Sequence, residues 1–300
     1  MNTPSSSPVL NTPPAPLRDH GAVHVLSFNI RLGWGERNQP NAWINRKGAC
    51  IDIMRGGEFD FIGLQEVVFH PELADVDQYR DIRDGLPGYG IVGRSRDAAP
   101  DNGEGVLLLY RTDRWEPVET GVFWLSETPD VPASRSWDTA CTRIAAWGRF
   151  RELRDGTPTG RTVLAVNTHL DHILEHTQIE QARVVAEFIA ATLAPGEPAF
   201  LTGDFNAYEY SWPMRYLTGA PIAALGVPIP ASPLPLADSW RALHPTAKDA
   251  ATYHGWGNPY ASPHRIDYIL ATMRPLAAAI HALPAPFPSD HHPVTALLEL

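Results

Sequence analysis

Cysteine is nearly absent: only Cys50 and Cys141 occur among 300 residues, which excludes a disulfide framework and reads as two buried thiols. Long apolar runs are missing too, so no segment is suited to span a bilayer and no stable membrane association is expected. Residues 1–19, rich in Pro, Ser and Thr, carry neither the basic start nor the continuous apolar core of a signal peptide, and read as a disordered tail. A soluble, cytoplasmic monomer is the default expectation. Positive charge is the third scarcity. Lys and Arg number 24 against 34 Asp and Glu, a formal net charge of −10, which excludes a protein that coats nucleic acid by bulk charge. A local basic patch stays open, as does a recruited divalent cation, the simple remedy for an acidic protein that must approach a phosphate.

Hydrophobic residues, at 44%, are ample for a sizeable core, and residues 20–300 are read as one domain. Val23 to Ile30 reads as a strand ending near Asn29. The helix after it is capped by Asn41, carries Trp43, Lys47, Ile51 and Met54 on its apolar face, and stops at Gly56 and Gly57. Phe59 to Glu66 is a second apolar run, which places Glu66 at a strand tip. The layout then recurs. Thr162 to Leu170 is a strand carrying Asn167 and His169, and a helix runs from Thr177 to Leu193 behind a Thr177–Glu180 capping box. A strand from Ala199 ends at Gly203, so that Asp204 and Asn206 project to one side of an extended segment. Asn29 to Glu66 and Asn167 to Asp204 each span 37 positions, the sign of two similar strand–helix–strand halves facing each other.

Between and beyond these halves, Gly105–Tyr110, Gly121–Leu125 and Ile144–Phe150 read as strands, and Pro221 to Ala237 as a surface excursion. Polar groups collect at strand ends and adjoining loops: Asn29, Gln65-Glu66, Asn167-Thr168-His169, Gly203-Asp204-Phe205-Asn206, Arg265-Ile266-Asp267 and Ser289-Asp290-His291. A carboxylate beside an uncharged amide, as in Asp204 and Asn206, suits an oxyanion next to an activated water.

This ordered set resembles the endonuclease/exonuclease/phosphatase family over about residues 20 to 300, and Phe123 to Pro129 looks like a bacterial branch of it. The resemblance implies an α/β (α+β) fold, a four-layer αββα sandwich of two packed mixed sheets flanked by helices, with the site at one end. It also implies hydrolysis of phosphate esters, as in the family's pancreatic-type and apurinic-site endonucleases, deadenylases and inositol polyphosphate phosphatases. Carried over by motif, Glu66 is the principal ligand of Mg²⁺ or Mn²⁺ with Asn29 beside it, and Asp290 is a second ligand or a tuning partner. Asp204 deprotonates the attacking water. Asn206 and His169 hold phosphate oxygens, and His291, oriented by Asp267, faces phosphorus. Arg143 and Asn167 are placed among phosphate contacts, whereas His172, His176, His254 and His292 are expected to be structural. Trp124, Trp137, Tyr253 and Trp256 lie in loops expected near the site mouth, where they would stack a base or lipid group or else pack in the core. The leading expectation is a phosphodiesterase or nuclease acting on short or single-stranded nucleic acid. The alternative is a phosphomonoesterase on a small inositol-phosphate or lipid-headgroup type of molecule. An inactive phosphate-binding module is discounted, because no motif position is missing.

Overall fold

Alternation along the strands decides the layering of this protein. A computed structural model describes residues 21–222, 229–248 and 250–300. The expected tail at 1–19 lies outside them, as do 223–228 of the Pro- and Ala-rich stretch. The chain begins β1 (Ala22–Asn29), α1 (Trp43–Gly56), β2 (Phe61–Phe69), α2 (Gln78–Gly85), β3 (Tyr89–Ser95) and β4 (Gly103–Arg111). It continues β5 (Trp115–Trp124), β6 (Ile144–Arg154), β7 (Thr157–His169), α3 (Glu175–Thr192), β8 (Ala199–Asp204) and α4 (Trp212–Leu217). The last elements are β9 (Ala237–Asp238), α5 (Ser239–Leu243), β10 (Asp267–Ala271), β11 (Pro275–Ile280) and β12 (Val294–Glu299).

Two six-stranded sheets result, in the orders β11-β12-β1-β2-β4-β3 and β5-β6-β7-β8-β10-β9. Both are mixed, with the parallel pairs β1/β2 and β7/β8 at their centres. On β1, Val23 and Val25 point between the sheets, while Leu26 and Phe28 point outward to Trp43, Cys50 and Met54 of α1. On β7, Val163 and Ala165 point between the sheets, and Leu164 and Val166 outward to Ile179, Ala182 and Val185 of α3. Period-two side-chain placement therefore gives each sheet two apolar faces, and helices cover the outer ones. This is the four-layer αββα sandwich.

Several local expectations need correction. Helix α1 has Ala42, not Asn41, at its N-cap and no side-chain cap. Its buried face is Trp43, Arg46, Cys50, Ile53 and Met54, so Lys47 and Ile51 sit at its margin. The rotation follows from Arg46, whose guanidinium donates to the carbonyls of Ile30, Arg31 (2.6 Å) and Pro288 (3.0 Å). Lys47 is left to pair with Asp81 at 3.2 Å. Helix α3 starts at Glu175, so Thr177 lies inside it and there is no capping box; its hydroxyl donates instead to the Trp137 carbonyl. The entry turn is satisfied by Asp171, whose Oδ1 accepts from the backbone of Ile173 (2.8 Å) and Leu174 (3.3 Å).

Strands β3, β9, β11 and β12 were not expected. Each is short, Ala-rich or only partly buried apart from β12, and β11 is an edge strand starting with Pro, so alternation there is weak. The stretch expected to be a surface excursion runs over the surface in its described part, where it is pinned at a few apolar points. Leu236 is buried, Ile229 and Leu234 pack on the core beneath α3, and the Leu236 amide donates to Leu217 at 2.8 Å.

Candidate active site

The carboxyl ends of the two parallel strand pairs meet at one end of the sandwich. Asn29 stands opposite Gln65 across β1/β2, and His169 opposite Asp204 across β7/β8. Asn29 ties the sheets together: its Nδ2 donates to Glu66 Oε1 at 3.0 Å and to Asp204 Oδ2 at 2.9 Å. Of the two 37-residue intervals, Asn29–Glu66 is a hydrogen-bonded pair, whereas Asn167 bonds to Gln65, Leu64, Leu107 and Thr202 and not to Asp204; on that half the bonded pair at the same separation is His169–Asn206.

Two side chains reach the site by unexpected backbone routes. Glu66 is not at a strand tip; it lies inside β2, where the register with β4 shifts between Leu64 and Val67, and its φ is +59°. A bulge of this kind re-aims a side chain that regular pleating would bury. Asn206 is not on an extended segment either. β8 runs on through Asp204, and Asn206 turns back with φ +47°, its amide N–H donating to Asp204 Oδ1 at 2.9 Å. Left-handed non-glycine backbone costs roughly 1–3 kcal/mol per residue and persists where surrounding structure imposes it.

The electrostatics follow from burial and neighbours. Burial pushes the Asp204 carboxyl up, as does the charge of Asp267; His291, the Asn206 amide and Asn29 pull the other way, and the balance lies at about 7. For His291 burial opposes the charge, but Asp267, Asp204 and Asp290 outweigh it and raise the imidazole to about 10. It is an imidazolium at neutral pH, with Nδ1 2.9 Å from Asp267 Oδ2 and Nε2 3.8 Å from Asp204 Oδ2. Burial also pushes Glu66 up, yet Arg31, Asn29, His291 and the Leu32 amide hold it below the ordinary value, so it stays ionised. Burial raises Asp290, with Glu66 adding to the rise. His169 is kept neutral by burial and then by Arg143 and Arg96. The Asn206 Nδ2 donates to the Leu170 carbonyl at 3.1 Å and faces His169 Nε2 at 2.9 Å. Since Leu170 can only accept, Nε2 is an acceptor and the ring proton sits on Nδ1, toward Glu104 at 4.0 Å.

A cavity of about 910 Å³ opens over these groups. Glu66, His169, Asp204, Asn206, Asp290, His291, Arg143 and Tyr253 line it; Asn29 and Asp267 sit behind the lining, hydrogen-bonded to Asp204 and His291. Tyr253 lies with its ring 5.0 Å from that of His291. Asn167 does not belong to the cavity. Its Nδ2 donates to Leu64 and Leu107 carbonyls at 2.9 Å each, and its Oδ1 accepts from Gln65 (2.7 Å) and Thr202 (3.0 Å), so three of its bonds cross to the facing sheet and the fourth, from Thr202 of β8, stays within its own. Trp256 is also outside: its ring lies under Arg46, 5.5 Å away. Trp124 ends β5 in the core and donates to the Arg96 carbonyl at 2.8 Å, and Trp137 does not line the cavity. Conversely, His172 and the half-buried Cys141 do line it, against the expectation of structural and buried roles. His254 and His292 stack on one another at 4.3 Å. Arg31, Arg96 and Glu104 also line the cavity and went unnoticed in the sequence. Arg31 stood two positions after Asn29, a findable signal; Glu104, between Gly103 and Gly105 in β4, offered none.

The clamp role of Asn167 has a measurable consequence. Asn167→Ala removes a donor from two carbonyls and an acceptor from Gln65, while the Thr202 hydroxyl keeps the Val166 carbonyl at 3.3 Å, at roughly 1–3 kcal/mol for each buried group left without another partner. Urea unfolding is expected to shift to a markedly lower midpoint while the KM of the surviving folded enzyme stays near that of wild type. A raised KM with unchanged stability would return Asn167 to the substrate.

Residues 26–291 match the endonuclease/exonuclease/phosphatase family. This chain belongs to that family. Among solved structures, the endonuclease/exonuclease/phosphatase of Bacteroides vulgatus is similar at 31% identity and TM-score 0.77, covering 93% of this chain and 99% of its own. A Bacteroides thetaiotaomicron mannosyl-6-phosphatase follows at 29% identity and TM-score 0.73, covering 92% and 99%. D. rerio TDP2 complexed with a single-strand DNA product matches at 16% identity and TM-score 0.67, over 93% and 99%, a likeness of fold. The endonuclease/exonuclease/phosphatase family hydrolyses phosphoester bonds and generally uses divalent metals.

The donor set fits such an ion. A carboxylate oxygen each from Glu66 and Asp204 lies within 4.8 Å of the other and of a His291 nitrogen, which as an imidazolium cannot itself be a ligand, and Asp290 lines the same cavity. Hard carboxylate oxygens with few protein ligands suit Mg²⁺ or Mn²⁺. A second trio, Cys141, Asp171 and His172, is equally close, but both Asp171 oxygens are taken by Thr139, Ala140, Ile173 and Leu174. Among the described residues no helix is long and apolar enough to cross a membrane.

Proposed function

We propose that the site hydrolyses a phosphate monoester of a small molecule by in-line attack of water on phosphorus. The charge balance of the cavity carries this reading. Of its three arginines, Arg31 is held by Glu36 at 2.9 Å and Arg96 by Glu104 at 2.9 Å. Arg143 is buried, makes no ion pair among the described residues, and its Nε has no hydrogen-bond partner; Nη2 lies 3.2 Å from His172 Nδ1. One guanidinium without a carboxylate partner before substrate arrives, among the described residues, suits one phosphoryl group, whereas an extended phosphodiester backbone calls for several. The cavity volume is also that of a small-molecule site. Similarity to the mannosyl-6-phosphatase supports the same class of substrate.

In this reading Asp204 orients the water and takes its proton, its affinity for protons poised near neutrality, while the ester P–O bond on the opposite side of phosphorus breaks and the alcohol leaves with a proton from solvent. The His291 imidazolium donates to a phosphoryl oxygen as charge builds on it, while Asn206, whose Nδ2 hydrogens are spent on His169 and the Leu170 carbonyl, holds His169 in place beside it. Asp267 keeps His291 protonated and turned toward the centre, and Arg143 binds a further oxygen. Glu66 and Asp290, with Asn29 orienting Glu66, would hold Mg²⁺ or Mn²⁺, which when bound would neutralise phosphoryl charge.

The test is a comparison of p-nitrophenyl phosphate and hexose 6-phosphates with bis-p-nitrophenyl phosphate and single-stranded oligonucleotides, all with Mn²⁺. Monoesters are expected to have the higher kcat/KM by on the order of tenfold or more. Faster hydrolysis of the diester or the oligonucleotide would restore the phosphodiesterase reading and overturn this one.

A further inference from the structure

Arg31 has an unusual seat. Its side chain is ringed by three carboxylates: Glu36 at 2.9 Å, Glu66 at 3.6 Å and Asp290 at 3.8 Å. Its backbone is clamped from several directions. The N–H donates to Asn29 Oδ1 at 2.9 Å, and the carbonyl accepts from Arg46 Nη2 at 2.6 Å and Gln78 Nε2 at 2.8 Å. Its φ of +56° turns the side chain back over the strand end, and the next amide, Leu32, donates to Glu66 Oε2 at 3.0 Å. The loop that fixes Glu66 thus also sets a guanidinium against it. Only Glu36 is in direct hydrogen-bond contact with Arg31. At 3.6 and 3.8 Å the other two carboxylates feel its charge while keeping their lone pairs open.

We propose that Arg31 is the resident counter-cation of the Glu66–Asp290 pair: it holds a divalent ion's affinity down, and it transfers to the substrate's phosphoryl oxygens when substrate enters. The inference rests on the reading that Glu66 and Asp290 hold the cation. Formal charge supports it, since three carboxylates and one guanidinium leave a deficit that one divalent ion balances. Arg31 lines the same cavity as Asn206 and His291, so a phosphoryl group bound there shares that cavity with the guanidinium. A dianion that draws the guanidinium off the carboxylates relieves its repulsion of the ion, which couples the two binding events. Arg31 is a positioning residue in this scheme, with direct substrate contact only after transfer.

The experiment measures Mn²⁺ binding to the full-length protein by calorimetry, without substrate, for wild type, Arg31→Gln and Arg31→Lys. Arg31→Gln is expected to bind Mn²⁺ on the order of tenfold more tightly or better, because a neighbouring positive charge is removed. Arg31→Lys keeps the charge and is expected to stay near wild type. In EDTA, Arg31→Gln should melt below wild type, its carboxylates having lost their counter-ion, and saturating Mn²⁺ should close the gap. Inorganic phosphate should tighten Mn²⁺ binding to wild type by a larger factor than to Arg31→Gln. Equal or weaker Mn²⁺ binding by Arg31→Gln, or loosening by both variants alike, overturns the proposal and leaves Glu66 and Asp290 as ligands. Equal phosphate coupling overturns the transfer. Absence of Mn²⁺ binding to wild type overturns both the inference and the metal reading beneath it.

Discussion

Asp204→Asn is expected to lower kcat by about 10²- to 10⁴-fold, the range a positioned base contributes, with KM close to wild type. The amide keeps the shape and its one oxygen can accept from either Asn29 or the Asn206 backbone, which in Asp204 use different oxygens, but it cannot take a proton from water. The pH–rate profile of wild type should rise through about 7, as Asp204 ionises, and fall toward about 10, as His291 loses its proton. Because the two groups lie 3.8 Å apart, these limbs belong to the pair as a unit. In the variant the acid limb should disappear from whatever activity remains.

The same substitution should change how stability depends on pH. Asp204 has a folded-state pKa raised above its unfolded value of 3.8, so its contribution to stability is full below pH 3.8 and is lost as pH rises toward 7. An amide does not titrate, and it gives up one of the two hydrogen bonds that the Asp204 oxygens accept, which adds an offset independent of pH. In EDTA, the urea midpoint of the variant relative to wild type should therefore rise between about pH 4 and pH 7. A loss confined to KM would move Asp204 from chemistry to binding. A relative midpoint that stays flat over that range would contradict the burial account of its pKa.

The second large effect concerns the cation. EDTA is expected to abolish activity, and added Mg²⁺ or Mn²⁺ to restore it. Glu66→Gln should need on the order of 10²-fold more Mn²⁺ for half-maximal rate, since affinity at an oxygen site follows the number of ligand charges. The fold should survive, because a Gln carbonyl can still accept from Asn29 or the Leu32 amide. Circular dichroism and activity across a Mn²⁺ series check both points. A variant curve that overlays wild type removes Glu66 as a ligand; an enzyme fully active in EDTA removes the cation altogether.

Much of this was legible before any coordinates, because it depends on local pattern. Alternating apolar residues in Val23–Phe28 and Val163–Val166 specify strands buried on both faces, and Ile179, Ala182, Ala186 and Ile189 specify one face of a helix. The ordered polar tips named the family, and the interval of 37 residues pointed to two strand–helix–strand halves, of which Asn29–Glu66 is a hydrogen-bonded pair and Asn167–Asp204 is not. What local pattern cannot carry is anything set by a partner distant in sequence. Glu66 enters the cavity through a bulge against β4, and Asn206 through a left-handed turn, conformations that propensity does not announce. Asn167 looked like a phosphate contact because it shares a strand with His169; its partners Leu64 and Leu107 lie 103 and 60 residues away and take its amide donors. Arg31, Arg96 and Glu104 became cavity residues only when the sheets were stacked. The protonation states came last of all. Sequence supplies an aspartate and a histidine, but burial and the convergence of Asp204, Asp267, Asp290 and His291 from separate segments make one a base poised near neutrality and the other a lasting cation.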